Sequence, residues 1–413
     1  MDRFQVLTEA RGHPDIIYFI ISLTLILSFT YLFYTFLTRK RKSISEATSS
    51  SGLFVACAET EFNLKFKTIL VQQIGDYQSP WWYSPHLGTM IPFGVDHSLS
   101  FEREILYHED GACNAIDWYP CKPPTSHAPQ NDAKKICLFL PCLGGNSDHK
   151  FAMNFALAIS SKEYYTAIVT TRGIGEPLRT KIAWHPAFTD DAYLTMQHVY
   201  KSYGPNSKIF FAGFSAGSNI VLQTLLRNQK DKNPIPVAGA CCVCFVANYL
   251  KVRNELENSA LGRVYSFLMA NKQKEIIKNN AHAFDDHAEE VARLMKCTYL
   301  SEFDSAAMNL VYGFANEEEL NRNFSCMGIA ELPTPYIGIQ PRDDPLFLGK
   351  VRENIPYQYL SRNKNFIYIE PSAGNHFGFY EGDLFEAFSN KTSYTWPAKC
   401  AILFFESLLE NSS

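Results

Sequence analysis

The chain has 413 residues, of which 46% are apolar and 19% charged, and its formal net charge is -4. This length and apolar content predict one large globular domain with additional segments, not several small domains. Outside Arg39–Lys42 there is no long basic block, so the sequence lacks the positive surface that nucleic-acid binding requires, and we expect no nucleic-acid partner.

The N-terminal region predicts a membrane anchor. After a tail at 1–15, residues 16–37 form a run without a charged side chain, long enough to cross roughly 30 Å of hydrocarbon as a helix. The run is much longer than the core of a cleaved signal peptide, and no small-residue cleavage site follows it. We therefore expect a single transmembrane helix, followed by a basic and Ser-rich linker at 38–55.

The charges beside this segment predict its orientation. The Arg39–Lys42 cluster follows the span, and such a bias in Lys and Arg places the rest of the chain in the cytoplasm, at an endomembrane or the plasma membrane. N-x-S/T sequons at Asn323, Asn390 and Asn411 would matter only if that part faced the lumen or the exterior. We give the basic cluster more weight, because chance sequons are common.

Residues 56–413 carry a pattern of short apolar runs separated by helical stretches. The strand candidates are 136–140, 165–170, 208–213, 236–247, 336–340 and 365–371. Nearly continuous hydrophobicity is typical of strands covered on both faces, so the fold class is α/β, with a mainly parallel sheet and helices on both faces. The interval at about 250–332 is too long for one crossover, and Val264, Phe267, Leu268 and Ile276 recur in it at helical spacing, which predicts an inserted helical cap.

Several cysteines lie inside these runs. Cys137, Cys241, Cys242 and Cys244 occupy apolar, strand-like positions, where a free thiol packs as a small hydrophobe. Cys242 and Cys244 have no histidine nearby in the sequence, so we expect no metal site.

Residues 213–217 read Gly-Phe-Ser-Ala-Gly, a G-x-S-x-G pattern. A strand candidate precedes it and a helix candidate follows it, which is the context of a nucleophile elbow. Small residues at Gly213 and Gly217 let the backbone turn tightly and expose the Ser215 hydroxyl at the carboxyl end of the sheet. We predict that Ser215 is a nucleophile.

A serine nucleophile needs a base and an acid, which follow it in the chain in this type of fold. His376 is the best placed histidine, because it comes just after the last strand candidate in a Gly-flanked loop. Asp343 and Asp344 directly follow the preceding strand, and one of them is expected to orient the imidazole. We choose Asp344, which precedes a proline; Asp343 stays an alternative acid or is a solvated loop residue.

The expected oxyanion donors are backbone groups. The N–H of Ala216 follows the nucleophile, and the N–H of Leu143 lies in the loop after the first central strand. Gly144 and Gly145 keep that loop slim enough for an acyl group.

Seven segments together resemble a known family. They are HLGTM (86–90), HEDGACNAIDWY (108–119), PCLGGNS (141–147), GFSAGSNI (213–220), YSFLMANKQKEII (265–277), DDPL (343–346) and GNHFGFYEG (374–382). The chain from about residue 81 onward resembles the membrane-anchored α/β-hydrolase-domain lipases, and among them a single-pass acylglycerol lipase.

This resemblance implies an α/β-hydrolase fold, a triad of Ser215, Asp344 and His376, and hydrolysis of acyl esters of glycerolipids near a bilayer. The family usually has Gly where Ser218 and Cys142 stand, so both departures lie close to the predicted reacting centre.

The function predicted from the sequence is that of a membrane-anchored serine hydrolase, most closely a monoacylglycerol or triacylglycerol lipase working through an acyl-enzyme. The alternatives are a phospholipase acting on phosphatidylcholine and a non-catalytic hydrolase-fold protein that binds a lipid or small ligand. The mechanism requires no cofactor or metal. Lipid esters and the bilayer are the expected partners, and no protein partner can be inferred.

Overall fold

The computed structural model describes residues 52–80, 82–90, 99–124, 133–376, 378–381 and 395–412. The predicted N-terminal tail and the predicted membrane span at 16–37 lie outside these residues. Among the helices of the described ranges, none combines the length and the apolar character needed to cross a bilayer.

The described residues form one nine-stranded sheet. Its strands are β1 (Phe54–Cys57), β2 (Glu102–Tyr107), β3 (Cys113–Tyr119), β4 (Lys135–Leu140), β5 (Tyr164–Thr170), β6 (Lys208–Phe214), β7 (Val237–Val243), β8 (Tyr336–Ile339) and β9 (Phe366–Glu370). The spatial order is β1-β9-β8-β7-β6-β4-β5-β3-β2. Strands β4 to β9 pair in parallel, while β1, β2 and β3 pair antiparallel at the two edges.

Helices connect and cover these strands. They are α1 (Glu61–Gln73), α2 (Pro85–Met90), α3 (Lys150–Ser160), α4 (Asp190–Tyr203), α5 (Ala216–Gln229), α6 (Tyr249–Glu257), α7 (Ala260–Asn279), α8 (Ala288–Lys296), α9 (Leu300–Ala307), α10 (Glu317–Phe324), α11 (Val351–Asn354), α12 (Tyr357–Leu360) and α13 (Thr395–Ser412). Short 3-10 or π segments occur at Ala281–His287, Met308–Tyr312, Met327–Glu331 and Pro345–Phe347.

Both faces of the central strands are buried. In β4, Ile136 and Leu138 pack into a core cluster that includes residues of α4 and α5. Cys137 and Phe139 point to the other face, where they pack with residues of α1, α3 and α13. This two-sided burial explains the continuous hydrophobic runs and confirms the predicted α/β-hydrolase fold class, with its mainly parallel sheet.

Strand β7 is shorter than the apolar run that predicted it. The run extends from 236 to 247, but the strand ends at Val243. Cys244 has a φ of 58°, in the left-handed region, so the extended chain cannot continue through it. The residue that ends the strand is buried, which is why hydropathy alone did not mark the end.

Helices α6 to α10 lie between β7 and β8, and part of this region has a core of its own, which includes Phe284, Leu294 and Phe303. The side chains that α7 buries include Tyr265, Ala270 and Ile276, whereas Phe267 and Leu268 are only half-buried. Helical spacing therefore predicted the helix but assigned part of its buried face wrongly, because one side of α7 borders a cavity.

The order of the strands fixes where a site can form. Strand β4 pairs with both β5 and β6, so the direction of sheet growth reverses there. Ligands of open α/β sheets bind at the carboxyl ends of strands beside such a reversal. Leu143 follows β4 and Ser215 follows β6, which places both residues at this position.

Candidate active site

Ser215 sits on a strained turn between β6 and α5. Its backbone has φ 54° and ψ -121°, a conformation that L-residues rarely adopt and that costs on the order of 1–3 kcal/mol. The turn is held by a hydrogen bond from the Ser215 N–H to the carbonyl oxygen of Val243, with an N···O distance of 2.8 Å. A strained serine at the carboxyl edge of the sheet is the geometry of a nucleophile elbow.

The two glycines of the motif are required by close backbone contacts. A Cβ atom on Gly217 would overlap the carbonyl oxygen of Leu140, and one on Gly213 would lie 2.6 Å from the carbonyl oxygen of Gly217. Both obstacles are backbone atoms, which cannot rotate away as a flexible side chain could. The elbow therefore depends on hydrogen atoms at these two positions.

The structure brings Ser215, His376 and Asp344 into one hydrogen-bonded chain. His376 Nε2 lies 2.8 Å from Ser215 Oγ, and His376 Nδ1 lies 2.7 Å from Asp344 Oδ2. The imidazole and the carboxylate are almost completely buried, with 1% and 0% of each residue exposed. With the proton on Nδ1 donated to the carboxylate, Nε2 is left to accept the serine proton.

The carboxylate of Asp344 is fixed from several sides. Gln340 Nε2 donates to Asp344 Oδ2 over 2.8 Å, and the N–H of Leu346 donates to Oδ1 over 3.0 Å. Together with the His376 bond, these contacts fill both oxygens and define the plane in which the imidazole lies.

Asp343 points away from the imidazole. Its carboxylate accepts hydrogen bonds from the Tyr83 hydroxyl and from the N–H of Asn375, which precedes His376 in the chain. Burial raises the pKa of Asp343 to about 6, although the Tyr83 bond opposes the shift. In the structure, Asp343 is therefore neither the partner of His376 nor a solvated loop acid; it braces the loop that carries the histidine.

The two predicted oxyanion donors lie next to Ser215. Ala216 is the first residue of α5, so its N–H has no acceptor within the helix. Leu143 and Ala216 line one cavity together with Ser215. Their role as oxyanion donors remains a prediction.

Sequence reasoning missed several residues that contact this site, among them Thr89 and Cys244 in addition to Gln340 and Tyr83 described above. Thr89 Oγ1 accepts the N–H of His376 at 3.3 Å. Cys244 places its Sγ within 4.8 Å of the ligand-type atoms of Asp344 and His376, and burial raises the pKa of its thiol. The signal that could reveal Cys244 is its position directly after β7 at the carboxyl edge, whereas the apolar run around it predicts an ordinary core residue.

Ser218 and Cys142, the two departures from the family pattern, are both buried. The Ser218 hydroxyl lies 2.6 Å from the carbonyl oxygen of Gly213 and 2.8 Å from that of Val243, so it links the ends of β6 and β7. Burial raises the pKa of Cys142 to about 12, which keeps its thiol protonated. Ser218 lies behind the elbow, whereas Cys142 lines a cavity in front of it.

Two cavities meet at Ser215, and both are also lined by Leu143, Met269 and Leu346. The first, which we call the cap cavity, has a volume of about 90 Å³ and extends to Arg253, Leu300 and Phe324. The second, which we call the lysine cavity, has a volume of about 270 Å³ and is lined by Cys142, Tyr265, Leu268, Lys272 and His376, among others. Most of the side chains in both walls are apolar, which suits the hydrocarbon part of a ligand.

Comparison with known proteins identifies relatives by sequence. No protein-family model matches the chain. Monoacylglycerol lipase ABHD2 of Homo sapiens is 25% identical over 316 residues, which cover 73% of this chain and 69% of the human protein. Abhydrolase domain-containing protein 2 of Drosophila melanogaster is 25% identical over 359 residues, covering 84% and 82%. The resemblance to α/β-hydrolase-domain lipases inferred from the sequence is thus confirmed.

Solved structures with a related fold are more distant. An esterase of Pyrobaculum calidifontis is 15% identical, with a TM-score of 0.43 and coverage of 79% of this chain and 90% of that protein. Brefeldin A esterase, a bacterial homologue of human hormone sensitive lipase, is 12% identical, with a TM-score of 0.43 and coverage of 86% of both chains.

Proposed function

We propose that this protein is a serine hydrolase that cleaves acyl esters of glycerolipids. The observation that carries the proposal is the hydrogen-bonded chain from Asp344 through His376 to Ser215, with the serine held on a strained turn. Strain, burial and mutual hydrogen bonding of a serine, a histidine and a carboxylate serve no evident packing purpose. They are the requirements for activating a hydroxyl that is a weak nucleophile at neutral pH.

The proposed reaction has two stages. His376 Nε2 takes the Ser215 proton as Oγ attacks the ester carbonyl, and the developing oxyanion is stabilised by the N–H groups of Leu143 and Ala216. Asp344 stabilises the imidazolium, which then protonates the leaving alcohol. Water, activated by the same imidazole, releases the fatty acid and restores the serine.

The walls of the two cavities support an ester with hydrocarbon parts as the substrate. An acyl ester bound at Ser215 needs space on both sides of its carbonyl, one for the acyl chain and one for the alcohol. The cap cavity and the lysine cavity both begin at Ser215 and have largely apolar walls, which suit hydrocarbon. The relatives named monoacylglycerol lipase favour an acylglycerol as the ester, in agreement with this shape.

The decisive experiment is labelling of the full-length protein with a fluorophosphonate, which reacts with activated serines. We expect labelling of the wild type and none of Ser215→Ala or His376→Ala. Ser160→Ala is the matched control, because the Ser160 hydroxyl bonds only to the backbone of its own helix, at Leu157. Absence of labelling in the wild type would favour a non-catalytic, lipid-binding protein instead.

A phospholipase is the second candidate, and Lys272 is the observation that favours it. Its side chain lines the lysine cavity and is 33% exposed, so its ammonium group could contact the phosphodiester of phosphatidylcholine. Release of fatty acid from monoacylglycerol, triacylglycerol and phosphatidylcholine distinguishes the two. Under the phospholipase hypothesis, Lys272→Gln would reduce only phosphatidylcholine turnover, and Lys278→Gln, exposed on the same helix, would not.

We also propose that residues 16–37 anchor the enzyme in a bilayer and that the hydrolase domain faces the cytoplasm, at the membrane that contains its substrate. The support is the uncharged run and the basic cluster at Arg39–Lys42. Endoglycosidase treatment of the cellular protein tests the side: no mobility shift is expected. A shift that Asn323→Gln abolishes would place the domain in the lumen or outside the cell.

A further inference from the structure

The two cavities at Ser215 differ in their access to His376. His376 lines the lysine cavity, whereas the described residues that line the cap cavity do not include it. In the proposed reaction the imidazolium protonates the leaving alcohol, so the alcohol must lie on the side of His376. The alcohol part of an ester therefore belongs in the lysine cavity, and the acyl part belongs in the cap cavity.

The volumes of the two cavities limit what each of them can hold. An apolar cavity of about 150 Å³ takes up one benzene molecule. On this scale the cap cavity, at about 90 Å³, has room for about four carbon atoms. The lysine cavity, at about 270 Å³, has room for about eleven.

The cap cavity is also the more closed of the two. Its apolar wall, beyond the residues shared with the lysine cavity, includes Leu256, Leu300 and Phe324, each 4% exposed or less. The lysine cavity is bordered instead by the half-buried Leu268 and by Lys272, whose side chain is 33% exposed. A chain that outgrows the lysine cavity can therefore extend toward solvent, whereas one that outgrows the cap cavity meets buried side chains.

Hydrogen bonds hold the walls of the cap cavity in place. Asn219 Nδ2 donates to the carbonyl oxygen of Phe324 over 2.6 Å, which ties α10 to α5. The Tyr249 hydroxyl and Arg253 Nη1 donate to Asp304 Oδ2 over 2.8 Å and 2.9 Å, which ties α6 to α9. Asp304 is completely buried, so separating these helices would leave a buried carboxylate without its partners, at a high cost in free energy. The cavity therefore resists widening by a longer chain.

We propose that the acyl group binds in the cap cavity and the alcohol in the lysine cavity, so that the enzyme prefers acyl groups of about four carbon atoms or fewer on a larger, apolar alcohol. Among glycerolipids, such substrates are acetyl or butyryl esters of a glycerol that also carries a longer hydrocarbon chain. This inference rests on the proposed function, because it uses the position of the leaving alcohol in that reaction.

Two isomeric esters test the assignment of the cavities. Decyl acetate and ethyl decanoate contain the same atoms, but the long chain is in the alcohol of the first and in the acyl group of the second. We expect kcat/KM of the full-length protein to be about tenfold higher for decyl acetate, which corresponds to about 1.4 kcal/mol. Equal values, or a preference for ethyl decanoate, would overturn the inference.

Leu300→Ala tests whether the cap cavity sets the limit on the acyl group. The change removes about three carbon atoms from the wall, so it should raise the ratio of kcat/KM for decyl hexanoate to that for decyl butyrate. We expect a rise of about tenfold. Leu294→Ala is the matched control, because Leu294 is buried in the same cap core but lines neither cavity, and its ratio should equal that of the wild type.

The opposite substitution keeps the test decisive if Leu300→Ala fails to fold. Leu300→Phe adds bulk to the wall of the cap cavity and should lower the ratio of kcat/KM for decyl butyrate to that for decyl acetate. Ratios equal to those of the wild type in the folded Leu300 variants would show that the cap cavity does not hold the acyl group.

Fluorophosphonate labelling separates this inference from the proposed function. Labelling of the wild type without a preference for decyl acetate would mean that the inference is wrong and that the proposed function stands. A wild type that is neither labelled nor active on either ester would mean that the proposed function is wrong, and the inference with it. Labelling together with a preference for decyl acetate, altered by the Leu300 variants and not by Leu294→Ala, supports both.

Discussion

Ser218 offers the sharpest test of how the elbow is built, because the resemblance to the lipase family implies glycine there. The hydroxyl is completely buried and lies within hydrogen-bond distance of the carbonyl oxygens of Gly213 and Val243. These carbonyls lie at the carboxyl ends of the neighbouring strands β6 and β7, so the hydroxyl links the two strands beside the strained turn. We infer that Ser218 stabilises the turn without taking part in the reaction.

The expected loss can be worked out from these contacts. Ser218→Ala removes one buried, neutral hydrogen-bond donor, which contributes about 1 kcal/mol to the free energy of unfolding. Ser218→Gly also loses about 0.5–1 kcal/mol, because glycine has more freedom in the unfolded chain. Urea unfolding should therefore rank the proteins as wild type, Ser218→Ala and Ser218→Gly, in falling order of stability. Ser160→Ala, outside this network, should match the wild type.

Two results would refute the reasoning. Equal stability of Ser218→Ala and the wild type would mean that the hydroxyl does not link the strands. Loss of fluorophosphonate labelling in Ser218→Ala, with unchanged stability, would place Ser218 in the reaction itself. We expect the labelling rate to fall by less than about tenfold, the equivalent of about 1.4 kcal/mol, because Ser218 lies behind the elbow.

Three further changes test the site. Asp344→Asn should lower kcat about 10⁴-fold, since the amide favours the wrong tautomer of His376. Asp343→Asn should lower kcat less than about tenfold, the equivalent of about 1.4 kcal/mol. Equal losses of kcat in the two variants would reopen the choice of acid. Because burial raises the pKa of Asp343 to about 6 in the folded protein, the free energy of unfolding should fall by up to about 3 kcal/mol as pH rises from 4 to 6. In urea unfolding at a series of pH values, Asp343→Asn should remove that fall. The same dependence of unfolding free energy on pH in both proteins would contradict this. Gly217→Ala should yield little folded, labelled protein, because its methyl group would overlap the Leu140 carbonyl, and normal labelling would show that the elbow relaxes.

Much of the architecture could be predicted from the sequence, because it depends on local pattern. Successive side chains of a strand such as β4 point into two different apolar cores. Every position must therefore be apolar, which gives the continuous hydrophobic run seen in the sequence. The elbow could be predicted because the motif is a short local pattern between a strand and a helix, although the carbonyl oxygen that Gly217 must clear belongs to Leu140 of β4. The chain order of nucleophile, acid and base followed from the order of the parallel strands.

Choices that depend on side-chain direction could not be made from the sequence. Asp343 and Asp344 are adjacent in one loop, and the sequence left the alternative open. Only packing turns Asp344 toward His376 and Asp343 toward Tyr83, a residue far away in the chain.

The same limit applies to groups gathered from distant segments. The sequence around Cys244 predicts an ordinary core residue. Its hydropathy is the same whether the thiol packs among apolar strands or lies beside the buried carboxylate of Asp344. Arg253 on α6 bonds to Asp304 on α9 and to Glu317 on α10, a contact among three helices that no local pattern predicts. The sequence by itself determined the fold class and the motif that turns at Ser215, because these depend on periodicity and local sterics. Tertiary structure alone decided which polar atoms meet, because those contacts join residues far apart in the chain.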